Sequence, residues 1–148
     1  MKTAIVTGSV KGIGKSIAFK LLDKGCFVIF NYANDDISAN EIEKELNNKG
    51  ITNFSIVKSD LSSVSGAQQF LDSCLAITDK FDYVVLNAGC TDRTRFGEIE
   101  EESWDKVMNT NLTVPFFLVQ KFSPYINNET GRIIFIGSKM GVAPHAMS

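Results

Sequence analysis

The stretch TGSVKGIGKS, residues 7–16, sets Gly8, Gly12 and Gly14 beside Lys11 and Lys15. Glycines let a backbone turn tightly and approach a ligand closely. A helix starting among them offers unpaired N–H groups and the positive end of its dipole to an anion. That is the chemistry of a phosphate site, and two mechanisms use it. SVKGIGKS is one residue away from the P-loop pattern GxxxxGK(S/T), with Ser9 where the first glycine belongs. A P-loop hydrolase also wants an aspartate closing a buried strand, to help hold magnesium. YVVLNAG closes on Asn87 with Asp82 at its start, and IVKSD reaches Asp60 only after a strand without the usual apolar run. The other mechanism is dinucleotide binding on the spacing GxxxGxG, a departure from the common GxGxxG.

More polar residues stand where ligands meet open α/β sheets. SDL (59–61) follows one apolar run, NAG (87–89) follows the next, and Ser138 follows RIIFIG. Each lies at the carboxyl end of an expected strand, the ligand-binding edge of such sheets. Asn111, in NTNL (109–112), lies instead within a long helical stretch.

The elements that must position these residues alternate. Residues 3–8, 26–32, 53–60, 81–89 and 131–137 read as strands, the last of them buried, with helices over 12–25, 36–50, roughly 62–78 and 100–126 between them. Ile13, Ile17, Ala18, Leu21 and Leu22 share one face of the first helix. The last helix breaks near Asn111, with Pro115 in the first turn of its second piece. Apolar strands without alternation are buried on both faces, and strands alternating with such helices build a parallel sheet. The expectation is one α/β domain over residues 1–148, a Rossmann-type doubly wound parallel sheet with helices on both faces.

Composition narrows the function. Apolar residues make up 44% and charged residues 22% of the 148, and the net charge is -2. Such a balance gives no basic surface for nucleic acid. No run approaches the length of a membrane span, and Gly8 ends the apolar N-terminus too soon for a signal peptide. Three dispersed cysteines, without CxxC, point to reduced thiols in the cytoplasm and to no metal site. His145 is the only histidine, so no histidine pair is available. The acids of EIEEES (98–103) suit the start of a helix. Trp104 and Phe116–Phe117 suit packing or a subunit interface, and Cys90 is a packed small residue or a neighbour of the ligand.

Taken in order, TGSVKGIG, SDL, NAG, NTNL and Ser138 resemble the short-chain dehydrogenase/reductases across the whole chain, and within them the 3-oxoacyl-(acyl-carrier-protein) reductase type. The resemblance implies an NADPH-dependent reductase that moves hydride to a ketone such as a 3-oxoacyl thioester, as in fatty acid biosynthesis. Gly8, Ser9, Gly12, Ile13 and Gly14 would form the pyrophosphate loop, and Lys11 matches a basic position of NADP-preferring members. NADP(H) is favoured over NAD(H), because the end of the second strand reads Asn31, Tyr32, Ala33 before any acid. Asp60 and Leu61 would border the adenine. Asn87, Ala88 and Gly89 match the family's NNAG, with Leu86 in place of the first Asn. Ser138 would hydrogen-bond the substrate carbonyl and Asn111 would support the proton relay.

The family's acid is a Tyr tuned by a Lys four residues later. Here Tyr32, Tyr83 and Tyr125 are followed at that spacing by Asp36, Asn87 and Glu129. The family's Tyr falls beyond Ser148, so the 148 residues read as truncated before YxxxK. They are expected to be inactive, and poorly soluble for want of a cover on the fifth strand. An intact relative would form homo-oligomers. The rival expectation is a non-catalytic NADP(H)-binding module or fragment.

Overall fold

Alternating side-chain direction divides the strand residues between two cores. Along β1 (Thr3–Val6), Ile5 faces one way and Ala4 and Val6 the other. The same parity splits Ile29 from Val28 and Phe30 on β2 (Phe27–Tyr32), and Val84 and Leu86 from Val85 on β4 (Tyr83–Leu86). The computed structural model describes residues 1–143. His145 lies outside the described residues.

Between these strands run α1 (Gly12–Asp23), α2 (Asp36–Asn48), β3 (Phe54–Lys58) and α3 (Val64–Leu75). After β4 come α4 (Glu101–Met108), α5 (Val114–Phe122) and β5 (Arg132–Phe135). All strand pairs are parallel, in the order β3-β2-β1-β4-β5. One core seats Ala18 and Leu22 of α1 and Ala39, Ile42 and Leu46 of α2 on Val28, Phe30 and Val85. The other seats Phe70, Leu71 and Cys74 of α3 and Leu118 and Phe122 of α5 on Ile5, Ile29 and Val84. Phe122 meets Phe70 and Phe81 edge-on, with ring centroids 6.0 and 5.3 Å apart. The sheet is thus doubly wound, and the chain reverses direction across it between β1 and β4.

Four expectations change. Each strand is shorter than its apolar run, because the ladder stops where backbone turns away into the connecting loops. The buried stripe of α1 is Gly14, Ala18 and Leu22, while Ile13 lies one position round the helix and is 65% exposed. The long helix does not break at Asn111. It widens into a π-helical turn over Asn109–Thr113 and continues as α5, with Pro115 in its first turn. The expectation of a buried fifth strand also fails: β5 pairs only with β4, and Ile134 and Phe135 are exposed at 45% and 59%. No strand borders its outer edge among the described residues, and only Ile133 of β5 packs against the core that α3 and α5 supply.

The ends of β4 and β5 nearest the N-terminus are pinned by Asp82. Its carboxylate accepts from the backbone N–H of Thr3 (2.9 Å), from Asn127 Nδ2 (3.1 Å) and from the Thr130 hydroxyl (2.5 Å). Burial pushes this carboxyl up, but the donors outweigh it and hold it below the usual carboxylate range.

Candidate active site

A cavity of about 630 Å³ opens at the carboxyl ends of the strands. Its lining runs from Lys11, Asn31 and Asp35, through Gly8, Asp60 and Leu61, to Asn87–Cys90, Lys106 and Thr110. The floor is built from hydrogen bonds between loops. Asn31, fully inside, accepts from the Gly8 N–H at 3.1 Å and donates to the Val57 and Ser59 carbonyls. Ser9, also buried, accepts the Asn31 N–H at 3.0 Å and donates its own N–H back to the Asn31 carbonyl at 2.8 Å. Thr7 Oγ1 accepts from the N–H groups of Asn87 and Ala88, 2.9 Å each. Asn87 Nδ2 returns bonds to the carbonyls of Thr7 (3.1 Å) and Gly8 (3.0 Å).

Two glycines make this floor possible. Gly8 has φ +60° with Ala88 Cα 2.9 Å from where a Cβ would lie. A Cβ on Gly14 would meet the Gly8 carbonyl and Asn87 Nδ2 (2.5 Å). The start of α1 is therefore drawn onto the loop, and only side-chain-free positions permit it.

The helix N-termini divide by capping. Asp35 accepts from Ser38 N–H at 3.0 Å to cap α2, and Ser63 accepts from Gly66 N–H at 3.1 Å to cap α3. On α1 the capping position is Lys11, and no side chain caps it. The N–H groups of that first turn are left for an acceptor from outside the chain, beside a cavity into which Lys11 faces.

Around the rim, Lys11 Nζ lies 3.0 Å from Asp35 Oδ2. Asp36 accepts from Lys58 Nζ (2.8 Å) and from the Tyr32 hydroxyl (2.9 Å). Asp60 is exposed and accepts from Ser62 N–H at 3.0 Å, while Leu61 is buried in the core.

At the other end Asn111, carried on the π-helical turn, brackets the backbone of Cys90. Its Oδ1 accepts from the Cys90 N–H at 2.9 Å and its Nδ2 donates to the Cys90 carbonyl at 2.7 Å. Thr110 turns a buried hydroxyl oxygen inward with no hydrogen-bond partner among the described residues. Ser138 lies past β5, exposed, and caps a 3₁₀ turn (Lys139–Gly141) by accepting the Met140 N–H at 3.2 Å. It does not line the cavity.

Comparison with known proteins agrees with this architecture. A profile of the short chain dehydrogenase family matches residues 2–148. The chain belongs to that family. A 3-oxoacyl-(acyl-carrier-protein) reductase, FabG, of Staphylococcus aureus is 32% identical over 141 residues, 95% of this chain and 57% of the relative. The chain thus spans little more than half the length of the curated relatives it matches. Among solved structures, a blue fluorescent protein from a metagenomic library, crystallised with NADPH, superposes with TM-score 0.88 at 28% identity. That match covers 98% of this chain and 59% of the other. A metagenomic short-chain oxidoreductase in complex with NADP gives TM-score 0.88 at 30% identity, over 99% and 66% of the two chains.

Membership in the short-chain dehydrogenases sets aside the P-loop alternative, and Ser9 shows why the pattern misled. Ser9 replaces a glycine that a P-loop needs for phosphate contact, and here it is a buried rivet to Asn31. The structure brings Gly8, Lys11, Asn31, Asp60, Leu61 and Asn87–Gly89 to one cavity. Gly12, Ile13 and Gly14 form the uncapped turn of α1, and Asn111 stands behind Cys90. Sequence reasoning missed Thr7, Asp35, Lys106 and Thr110. Thr7 stood inside the quoted motif, but its role as acceptor for two N–H groups requires knowing that β1 and β4 are neighbours. Nothing in their own segments marks Lys106 and Thr110. Of the tyrosines, Tyr83 pairs with Lys2 (2.7 Å), but at the amino ends of the strands, opposite the cavity.

Proposed function

We propose that this chain is the cofactor-binding part of an NADPH-dependent ketone reductase. The observation that carries the reading is the uncapped start of α1, fused by Gly8 and Gly14 to the floor of a cavity with Lys11 on its rim. The first-turn N–H groups of Gly12, Ile13 and Gly14 would hold the pyrophosphate, and Lys11 the 2′-phosphate. Ser59, Asp60 and Leu61 would border the adenine. The orphan Thr110 hydroxyl and the exposed Gly89 lie at the far end of the cavity, so the residues present fit a dinucleotide. Relatives and neighbours support the choice, one curated as a 3-oxoacyl reductase and two solved with NADP or NADPH.

When bound, the nicotinamide supplies the hydride. The chain's own residues bind, orient and polarise. Ser138 accepts the Met140 N–H through its oxygen, which leaves its hydroxyl proton free to donate to a substrate carbonyl. Asn111 acts through position: its amide is occupied by Cys90, so it fixes the loop that follows the NAG turn and keeps the cavity wall in place. Asn31 and Ser9 serve the same purpose at the other end, shaping the loop without a free polar group for the ligand. The 32%-identical reductase relative favours a 3-oxoacyl thioester presented by an acyl carrier, in the cytoplasm, as the substrate. Homo-oligomer formation fits the exposed Trp104 on α4, Leu112 on the π-helical turn and Phe116 on α5.

Proton delivery is the step these residues do not equip. Tyr32 donates to Asp36 and Tyr83 pairs with Lys2, and none of the three tyrosines has a lysine four residues on. The 148-residue chain therefore acts as an NADP(H)-binding unit of one domain without turnover. Titrating it into NADPH while following nicotinamide fluorescence should show saturable binding, and adding acetoacetyl thioester should leave NADPH unconsumed. Absence of binding would overturn the cofactor reading; steady oxidation of NADPH would overturn the assignment of Tyr and Lys as indispensable.

A further inference from the structure

The rim of the cavity holds an arrangement that the presence of Lys11 alone does not explain. Asp35 uses its two carboxylate oxygens for different purposes: Oδ1 accepts the Ser38 N–H and caps α2, while Oδ2 pairs with Lys11 Nζ at 3.0 Å. Both residues line the cavity. The Ser38 N–H and then Lys11 hold this carboxyl below the usual carboxylate range, so it is ionised throughout the neutral range. The neighbouring acid is committed elsewhere, since Asp36 takes Lys58 and Tyr32. The remaining carboxylate of the lining, Asp60, is turned onto Ser62.

The two partners differ in freedom. Lys11 has a side chain 75% exposed on a flexible stem, whereas Asp35 is 30% exposed and tied to the start of a helix. An exposed pair of this kind is weak, and a phosphate carrying nearly two charges is the better partner for an ammonium. A 2′-phosphate can therefore draw Lys11 away. It cannot draw Asp35 away, so the fixed carboxylate stays on the rim, facing the incoming anion.

We propose that Asp35 is a specificity-determining residue that works against Lys11: it holds the lysine as counter-ion and keeps a negative charge at the rim, limiting the preference for the 2′-phosphorylated dinucleotide. The inference rests on the cofactor reading above. It predicts that neutralising Asp35 increases discrimination, the opposite of what a residue that merely orients Lys11 would do.

The test is the ratio of NADPH to NADH affinity of the 148-residue chain, read by nicotinamide fluorescence. D35N and D35S keep an oxygen that can cap α2 and remove the charge, whereas D35E keeps the charge. D35N and D35S should each raise the ratio about fivefold, the scale of an exposed charge pair, and D35E should leave it where it was. The gain should shrink at about 0.5 M salt, where such charges are screened. Denaturant melts of the variants that match the wild-type chain's show the fold intact. A ratio that stays flat or falls in D35N and D35S, while the wild-type chain binds both dinucleotides, overturns the inference and leaves the cofactor reading standing. A wild-type chain that binds neither overturns both.

Discussion

The Lys11 end of the cavity and the Ser138 segment beyond β5 are built differently. Beneath Gly8 the polar side chains of Thr7, Ser9, Asn31 and Asn87 are all bonded to backbone, each joining one strand end to the next. β5 has one strand neighbour among the described residues, Phe135 at its end is 59% exposed, and past it the Ser138 side chain is tied only to Met140, two residues away. The first region is fixed by interactions reaching across the chain, and Ser138 by local ones. A loop that must accept a phosphate through its N–H groups has to be rigid before the ligand arrives, because ordering it on binding would subtract from affinity. The contrast places the described rigidity around the loop proposed to bind a dinucleotide and little of it around Ser138.

Substitutions at the two ends should separate accordingly. The largest effect is expected at Gly14, where an added Cβ has no room against the Gly8 carbonyl and Asn87. Gly14→Ala should cost about 3 kcal/mol of stability and abolish NADPH binding, measured by denaturant melts and by fluorescence titration. Asn87→Ala follows. It leaves the Thr7 and Gly8 carbonyls without their donor, and should cost about 2 kcal/mol and weaken NADPH binding while the fold persists in circular dichroism. Ser138→Ala should be the smallest, within about 0.5 kcal/mol of wild type and with unchanged NADPH affinity. A large stability loss at Ser138 would erase the contrast, and an inert Gly14→Ala would invert it.

Much of this was legible in one dimension. Glycine spacing marked the phosphate loop, and apolar runs separated by helical periodicity marked the parallel sheet, because both follow from local backbone freedom and from period alone. The acids of EIEEES read as a helix start, and Glu101 and Glu102 do occupy the first turn of α4. Ile13 and Asn111 were harder. Which flank of α1 is buried depends on Gly14 sinking against Asn87, a residue 73 positions away. A π-helical turn differs from a break only in hydrogen bonds that extend one residue further, and Asn, Thr and Leu are compatible with either. The expectation that β5 is buried came from its apolar residues, which report only what a segment can bury.

The sequence by itself determined the loop that can meet a phosphate, the alternating strands and helices, the single sign-balanced surface and the absence of YxxxK within these residues. Those properties reside in residue type and short-range spacing. The tertiary structure alone decided that Asn31 and Ser9 are rivets, that Asn111 holds Cys90, and that Asp35 stands opposite Lys11. The contacts of the floor depend on strand order: β2 beside β1 brings residue 31 to residue 9, and β1 beside β4 brings residue 7 to residue 87. Hydrogen bonds and ion pairs act over about 3 Å, and only folding brings such distant positions within that range.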